Sequence, residues 1–100
     1  EFGTNPANPK LQHMLEAYKV KHGAEPPYQS YAQPMYDAVF MLRDAIKDVG
    51  NNGEMLATWF RMVKDWDGAS GKVTIGQDGD RVGGHTPKVI KKGKVEMYIK

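Results

Sequence analysis

Three histidines, a glycine-framed lysine, a row of aspartates and a lysine-rich end are the residues with chemistry to offer in this 100-residue chain. His13, His22 and His85 lack the spacing of metal ligands, and no H-E-x-x-H pair is present. They read as surface residues, so no metal site is expected. Gly68-Ala69-Ser70-Gly71-Lys72 hints at a phosphate loop. Its glycines are too close together, no Ser or Thr follows Lys72, and a strand rather than a helix is expected next. Asp78-Gly79-Asp80 lacks the ligand spacing and closing Glu of a calcium loop, and reads as a turn. Asp44 and Asp48 lie one helical turn apart, as paired carboxylates would. Arg43 and Lys47 sit beside them, so a solvated helix face is the expectation. Lys88, Lys91, Lys92, Lys94 and Lys100 could form a phosphate-binding patch. Edge-strand lysines that discourage sheet-to-sheet pairing are the preferred reading, and no nucleic-acid partner is expected. No nucleophile stands beside a base, so no catalytic residue, cofactor or enzyme activity is expected.

Composition narrows the field further. Hydrophobic residues make up 40% and charged residues 26%, the balance of a globular domain. At this length there is room for one modest core, not for a cleft between two lobes. With no cysteine, disulfides, thiol catalysis and zinc-thiolate sites are excluded. No apolar run approaches the roughly 20 residues of a membrane span. A net charge of +2 is too weak to imply nucleic acid. Glu1-Phe2-Gly3-Thr4 has no basic or apolar signal character and reads as a cloning scar or tail, leaving 5–100 as the domain.

The elements that must position these residues follow from periodicity. A first helix is expected from Pro9 to about His22, capped by Asn8 and ended by Gly23, with Leu11, Met14, Leu15 and Tyr18 on one face. Pro26-Pro27 stiffen the next loop. A second helix should start near Ser30 or Gln33, with Pro34 in its first turn, and close at Gly50. Its apolar stripe is Met35, Ala38, Val39, Leu42, Ala45, Ile46 and Val49; Asp37, Asp44 and Asp48 share another face. Asn51 to Glu54 reads as an N-x-x-E capping box opening a third helix. Met55, Trp59, Met62, Val63 and Trp66 lie along one side of it, widened by Leu56 and Phe60. So broad a stripe means that the helix is central or that part of its partner is missing. Trp59 and Trp66 are expected in the core. After Asp67, glycines punctuate short strands: Val73 and Ile75 alternate with polar residues, and Asp78-Gly79 turns the chain. Pro87 to Lys92 and Lys94 to Ile99 form a pair around Lys92-Gly93, with Val95, Met97 and Ile99 on one side and Glu96 and Tyr98 on the other.

One ordered series carries more information. Leu15-Glu16-Ala17-Tyr18-Lys19-Val20-Lys21-His22-Gly23, then Glu25-Pro26-Pro27, then Tyr31-Ala32-Gln33-Pro34-Met35-Tyr36-Asp37-Ala38-Val39 resembles the type I periplasmic binding proteins. Those are the substrate-binding components of ABC importers, and the likeness is to the branched-chain amino acid group. Members show a helix ending Tyr-Lys-x-Lys-x-Gly, a Pro-containing loop, and a helix bearing Tyr-Asp-Ala. Ala45-Ile46 before Gly50, Gly68-x-x-Gly71-Lys72-Val73-Thr74-Ile75, Asp78-x-Asp80-Arg81 and Lys92-Gly93-Lys94-Val95 resemble later family segments in the same order. Ile75 stands where Phe is commoner, and Val82 to Thr86 is compressed.

The resemblance implies an α/β fragment, about three helices followed by short strands, from the C-terminal part of a two-lobed fold. It implies a small-molecule solute held between the lobes of the full-length protein, an ABC permease as membrane partner, and a periplasmic or cell-surface lipoprotein location. The fragment by itself would then not be binding-competent, and its uncovered apolar faces would lead it to self-associate. It also implies Tyr36 as a cleft residue whose ring covers an apolar substrate and whose hydroxyl donates a hydrogen bond. Tyr36 equally borders the Val39–Phe40 stripe, where it would serve in packing. Tyr31 and Tyr28 are further ligand-binding candidates beside the loop. The alternative is a free-standing α+β module that binds a protein or nucleic acid, suggested by the terminal lysines and the wide third helix.

Overall fold

The computed structural model describes residues 5–83, 85 and 87–98. Helix α1 spans Pro9–His22, as its caps foretell. The Asn8 side chain accepts from the Lys10 N–H at 3.0 Å, and Gly23 closes the helix in the left-handed region. The same Asn8 amide donates to the carbonyls of Gly68 and Ala69, tying the helix start to a turn sixty residues away.

Helix α2 spans Gln29–Val49 and begins earlier than its proline suggested. Pro34 lies in the second turn, not the first. The Tyr28 carbonyl accepts from both Tyr31 and Ala32, so the first turn closes upstream of the proline. The larger correction concerns its faces. Gln33, Asp37, Met41 and Ala45, four residues apart, form the buried face. Met35, Val39, Leu42 and Ile46 from the expected core stripe are 67%, 63%, 43% and 41% exposed. The helix turns its acidic side inward and most of its apolar side out.

Helix α3 spans Gly53–Arg61, with Asn52 rather than Asn51 as its cap: the side chain accepts from Glu54 and Met55 N–H. The helix stops at Arg61, two residues before Val63, so the expected stripe through Val63 and Trp66 is not continued as helix. Met62 and Val63 instead donate to carbonyls three residues back, tightening the end. No residue of α3 is buried. Trp59 and Phe60 are half-buried against Met41, Val63 and Val73.

Strand β1, Trp66–Gly68, pairs antiparallel with β2, Gly71–Val73, around the Ala69-Ser70 turn. Trp66 therefore opens a strand, and it is half-buried rather than fully in the core. Ile75 lies outside β2 and bridges to Arg81 across the Asp78-Gly79 turn. Strands β3, Lys88–Lys91, and β4, Lys94–Met97, form a separate antiparallel hairpin with Ile90 opposite Val95. Lys92 and Gly93 both have positive φ, the requirement of a tight hairpin turn. The strands are shorter than the pattern suggested, and Ile99 and Lys100 lie outside the described residues.

Two small apolar clusters hold these pieces. Leu11, Met14 and Ala69 form one, with Leu15, Ala32 and Tyr36 against it. Met41, Val63 and Val73 form the other. Between them the Asp37 carboxylate accepts from Ala69 N–H at 2.7 Å, Ser70 N–H at 2.9 Å and the Ser70 hydroxyl at 2.5 Å. A methyl group at Gly68 would stand 2.6 Å from Asp37 Cγ, so the turn needs glycine there. Gly68→Ala and Asp37→Ala should each destabilise the chain by about 2–4 kcal/mol, read as a lower urea midpoint. A midpoint unchanged in both variants would refute this account of the turn.

Candidate functional site

The inward stripe of α2 is a row of acceptors, each facing a donor on another element. Asp37 holds the β1–β2 turn. Seven residues on, Asp44 Oδ2 accepts from the Trp66 indole N–H at 3.0 Å. Four further, Asp48 Oδ2 accepts from the Trp59 indole N–H at 2.9 Å. The expected solvated face holds for Asp48, which is exposed, and in part for Asp44, which is half-buried and pairs with Arg43 at 3.0 Å, but both carboxylates also clamp tryptophans. The signal was present in the seven-and-four spacing, but the donors lie on α3 and β1, where local reading could not place them.

Arg81 closes this network from the other side. Its guanidinium donates to the Ser70 hydroxyl at 2.8 Å and to the carbonyls of Ser70 and Lys72 at 3.2 Å. Burial lowers the Arg81 pKa from its ordinary value, and the nearby Asp37 charge opposes that. Sequence reading passed over both Asp37 and Arg81 as site residues.

Tyr36 sits beside this wall. Its ring tilts against Phe40 with centroids 4.8 Å apart, and its inner edge packs on the Leu11 cluster. Together with Lys10, Asp37, Phe40, Arg43 and Trp66 it lines a cavity of about 220 Å³. Tyr28 and Tyr31 are 72% and 80% exposed at the start of α2, and neither lines that cavity. Tyr31 and Tyr36 are about 140° apart around the helix, so α2 directs them to different sides. Of the three candidate tyrosines, the structure thus places one in a cavity and two on the surface.

The histidines do not converge. His22 stacks on Tyr18 at 4.4 Å. Among the described residues no group of three or more His, Cys, Asp or Glu could hold a metal ion. No helix among the described residues is long and apolar enough to cross a membrane.

No protein-family model and no curated protein matches this chain. Among solved structures, the chain is similar to the crystal structure of a leucine binding protein, LivK, from Thermotoga maritima. The match has 30% identity and a TM-score of 0.72 over 99% of this chain. It spans 28% of the length of that protein. The chain has the fold of a portion of a type I periplasmic binding protein, three helices followed by short strands. Its solved relative is a binding protein rather than an enzyme.

The Trp66 clamp makes stability depend on pH. The indole N–H, above all, holds the Asp44 carboxyl below the usual range, with Arg43 and Lys47 adding to the effect against the cost of burial. A carboxylate with a lowered folded value stabilises fully above about pH 4 and loses that contribution as the pH falls through the folded value. Asp44→Asn should therefore flatten the fall in urea midpoint between neutral and strongly acid pH relative to the unaltered chain. Parallel pH profiles for the two proteins would contradict the assignment.

Proposed function

We propose that this chain is the C-terminal part of the solute-binding protein of an ABC importer. The observation that carries this reading is the match over nearly the whole chain to somewhat more than a quarter of a leucine binding protein. The solute is a branched-chain amino acid or a related small compound, trapped between two lobes by hinge closure. Tyr36 covers the apolar side chain of the solute, its ring braced by Phe40 and its hydroxyl free to donate. Tyr31 and Tyr28 approach the solute from the rim, where they stand exposed at the start of α2. The loaded protein delivers the solute to a permease in the membrane, from the periplasm or from a lipid anchor on the cell surface.

The inverted faces of α2 support the same reading. Met35, Val39, Leu42 and Ile46 make an apolar ridge about 17 Å long, an unfavourable surface for a finished domain. A helix taken from inside a larger α/β lobe leaves such a ridge. By itself the chain lacks most of a two-lobed cleft, so it does not retain leucine at micromolar concentration.

The gene decides the matter. The reading frame upstream should encode a long α/β region behind an export signal, and Tyr36→Ala in the whole product should weaken solute binding roughly tenfold or more by calorimetry. A start codon immediately before this segment would overturn the reading and favour a free-standing interaction module. The isolated chain should self-associate in sedimentation velocity at micromolar concentration, and Leu42→Glu should weaken that association roughly tenfold. A clean monomer would argue that the ridge needs no cover.

A further inference from the structure

The cavity beside Tyr36 is built from paired cations and rings. Lys10 Nζ lies 4.8 Å from the centroid of the Trp66 ring, and the Arg43 guanidinium carbon lies 4.9 Å from that of Phe40. Each cation rests on an aromatic face, an arrangement that holds a long side chain in place without neutralising it. Tyr36 stacks on the same Phe40 ring. The carboxylates nearby are already committed. Asp37 accepts three hydrogen bonds from the Ala69-Ser70 turn. Asp44 gives one oxygen to Arg43 and the other to the Trp66 indole. Arg43 uses Nε and Nη2 on Asp44, which leaves its Nη1 edge without a hydrogen-bond partner among the described residues. Lys10 directs one N–H at the Asp67 carbonyl and retains two others.

We propose that this cavity binds a small monocarboxylate with a flat apolar body, its charge received by Lys10 and Arg43 and its body by the Tyr36, Phe40 and Trp66 rings. The size agrees. A volume of about 220 Å³ is below the usual range for drug-sized ligands and suits a single ring. The charge arrangement discriminates. A neutral ligand of the same shape meets the rings but leaves the spare N–H groups of Lys10 and Arg43 unused, whereas a carboxylate accepts from them. Binding is weak, because Asp44 competes for Arg43 and both cations are screened by solvent. The site lies wholly on this chain and shares only Tyr36 with the solute-binding reading, which is tested separately on the gene and the whole product.

Benzoate and its neutral analogue benzamide are the probes, titrated into the isotope-labelled chain at matched ionic strength while the two tryptophan indole N–H signals are followed by NMR. Benzoate should shift the Trp66 indole saturably, with half-saturation on the order of 1–10 mM, and leave the Trp59 indole in place. Benzamide should need roughly tenfold more. Arg43→Gln alters an exposed side chain, so the spectrum should stay dispersed while benzoate weakens roughly three- to tenfold. Lys10→Gln makes the same test should that variant lose its fold. Equal responses to benzoate and benzamide, or unchanged benzoate binding in the folded variant, would overturn the proposal.

Discussion

The carboxylate of Asp37 is the constraint on which the rest depends. It is 2% exposed, and a buried charge is tolerable only when hydrogen-bonded on every side. The Ala69-Ser70 turn meets that need with two backbone donors and a hydroxyl. Gly68 must then lack a side chain, because the carboxylate occupies the space a Cβ would take. Arg81 braces Ser70 from beyond, and Asn8 binds the Gly68 and Ala69 carbonyls from the start of α1. Segments around Asn8, Asp37 and Arg81 are thereby drawn to one short turn. The apolar clusters on either side are small, so this polar junction decides how they are arranged.

Helix α2 follows the same logic along its length. Asp44 and Asp48 repeat at Trp66 and Trp59 what Asp37 does at the turn, each supplying an acceptor to a donor that would otherwise be half-buried and unpaired. Facing its acidic stripe inward leaves the ridge of Met35, Val39, Leu42 and Ile46 outside. One helix thus joins a polar interior contact to an apolar outer surface, as a helix does when a second layer lies over it. A portion of a larger binding-protein fold presents that situation. The Tyr36 cavity belongs to the same joint. Its rings and cations come from α1, α2 and β1; Asp37 and Asp44 hold β1 and its turn to α2, and Asn8 ties the start of α1 to the same turn.

Much of this was legible from local signals. Asn8, Gly23 and Gly50 mark helix ends by chemistry that needs no distant partner: a side-chain acceptor for free N–H groups, and a residue that enters the left-handed region without strain. Asp78-Gly79 and Lys92-Gly93 announce turns in the same way. The ordered motifs around Tyr36-Asp37-Ala38 pointed to the binding-protein fold. The third helix was misjudged because its apolar period continues past Arg61, although the chain has already turned toward β1. Asn52 replaced Asn51 as the cap because the two adjacent asparagines offer the same acceptor.

Sequence alone determined both ends of α1, the close of α2 at Gly50, where the chain turns, and which fold it resembles, since those depend on neighbours within a few residues or on motif order. Tertiary structure alone decided which face of α2 looks inward, that Asp44 and Asp48 clamp tryptophans, and that Tyr36 lines a cavity while Tyr28 and Tyr31 do not. The physical reason is that periodicity reports the presence of an apolar face but not what stands opposite it. Here the strongest inward pull on α2 comes from donors more than thirty residues along the chain, and a buried carboxylate must follow its donors.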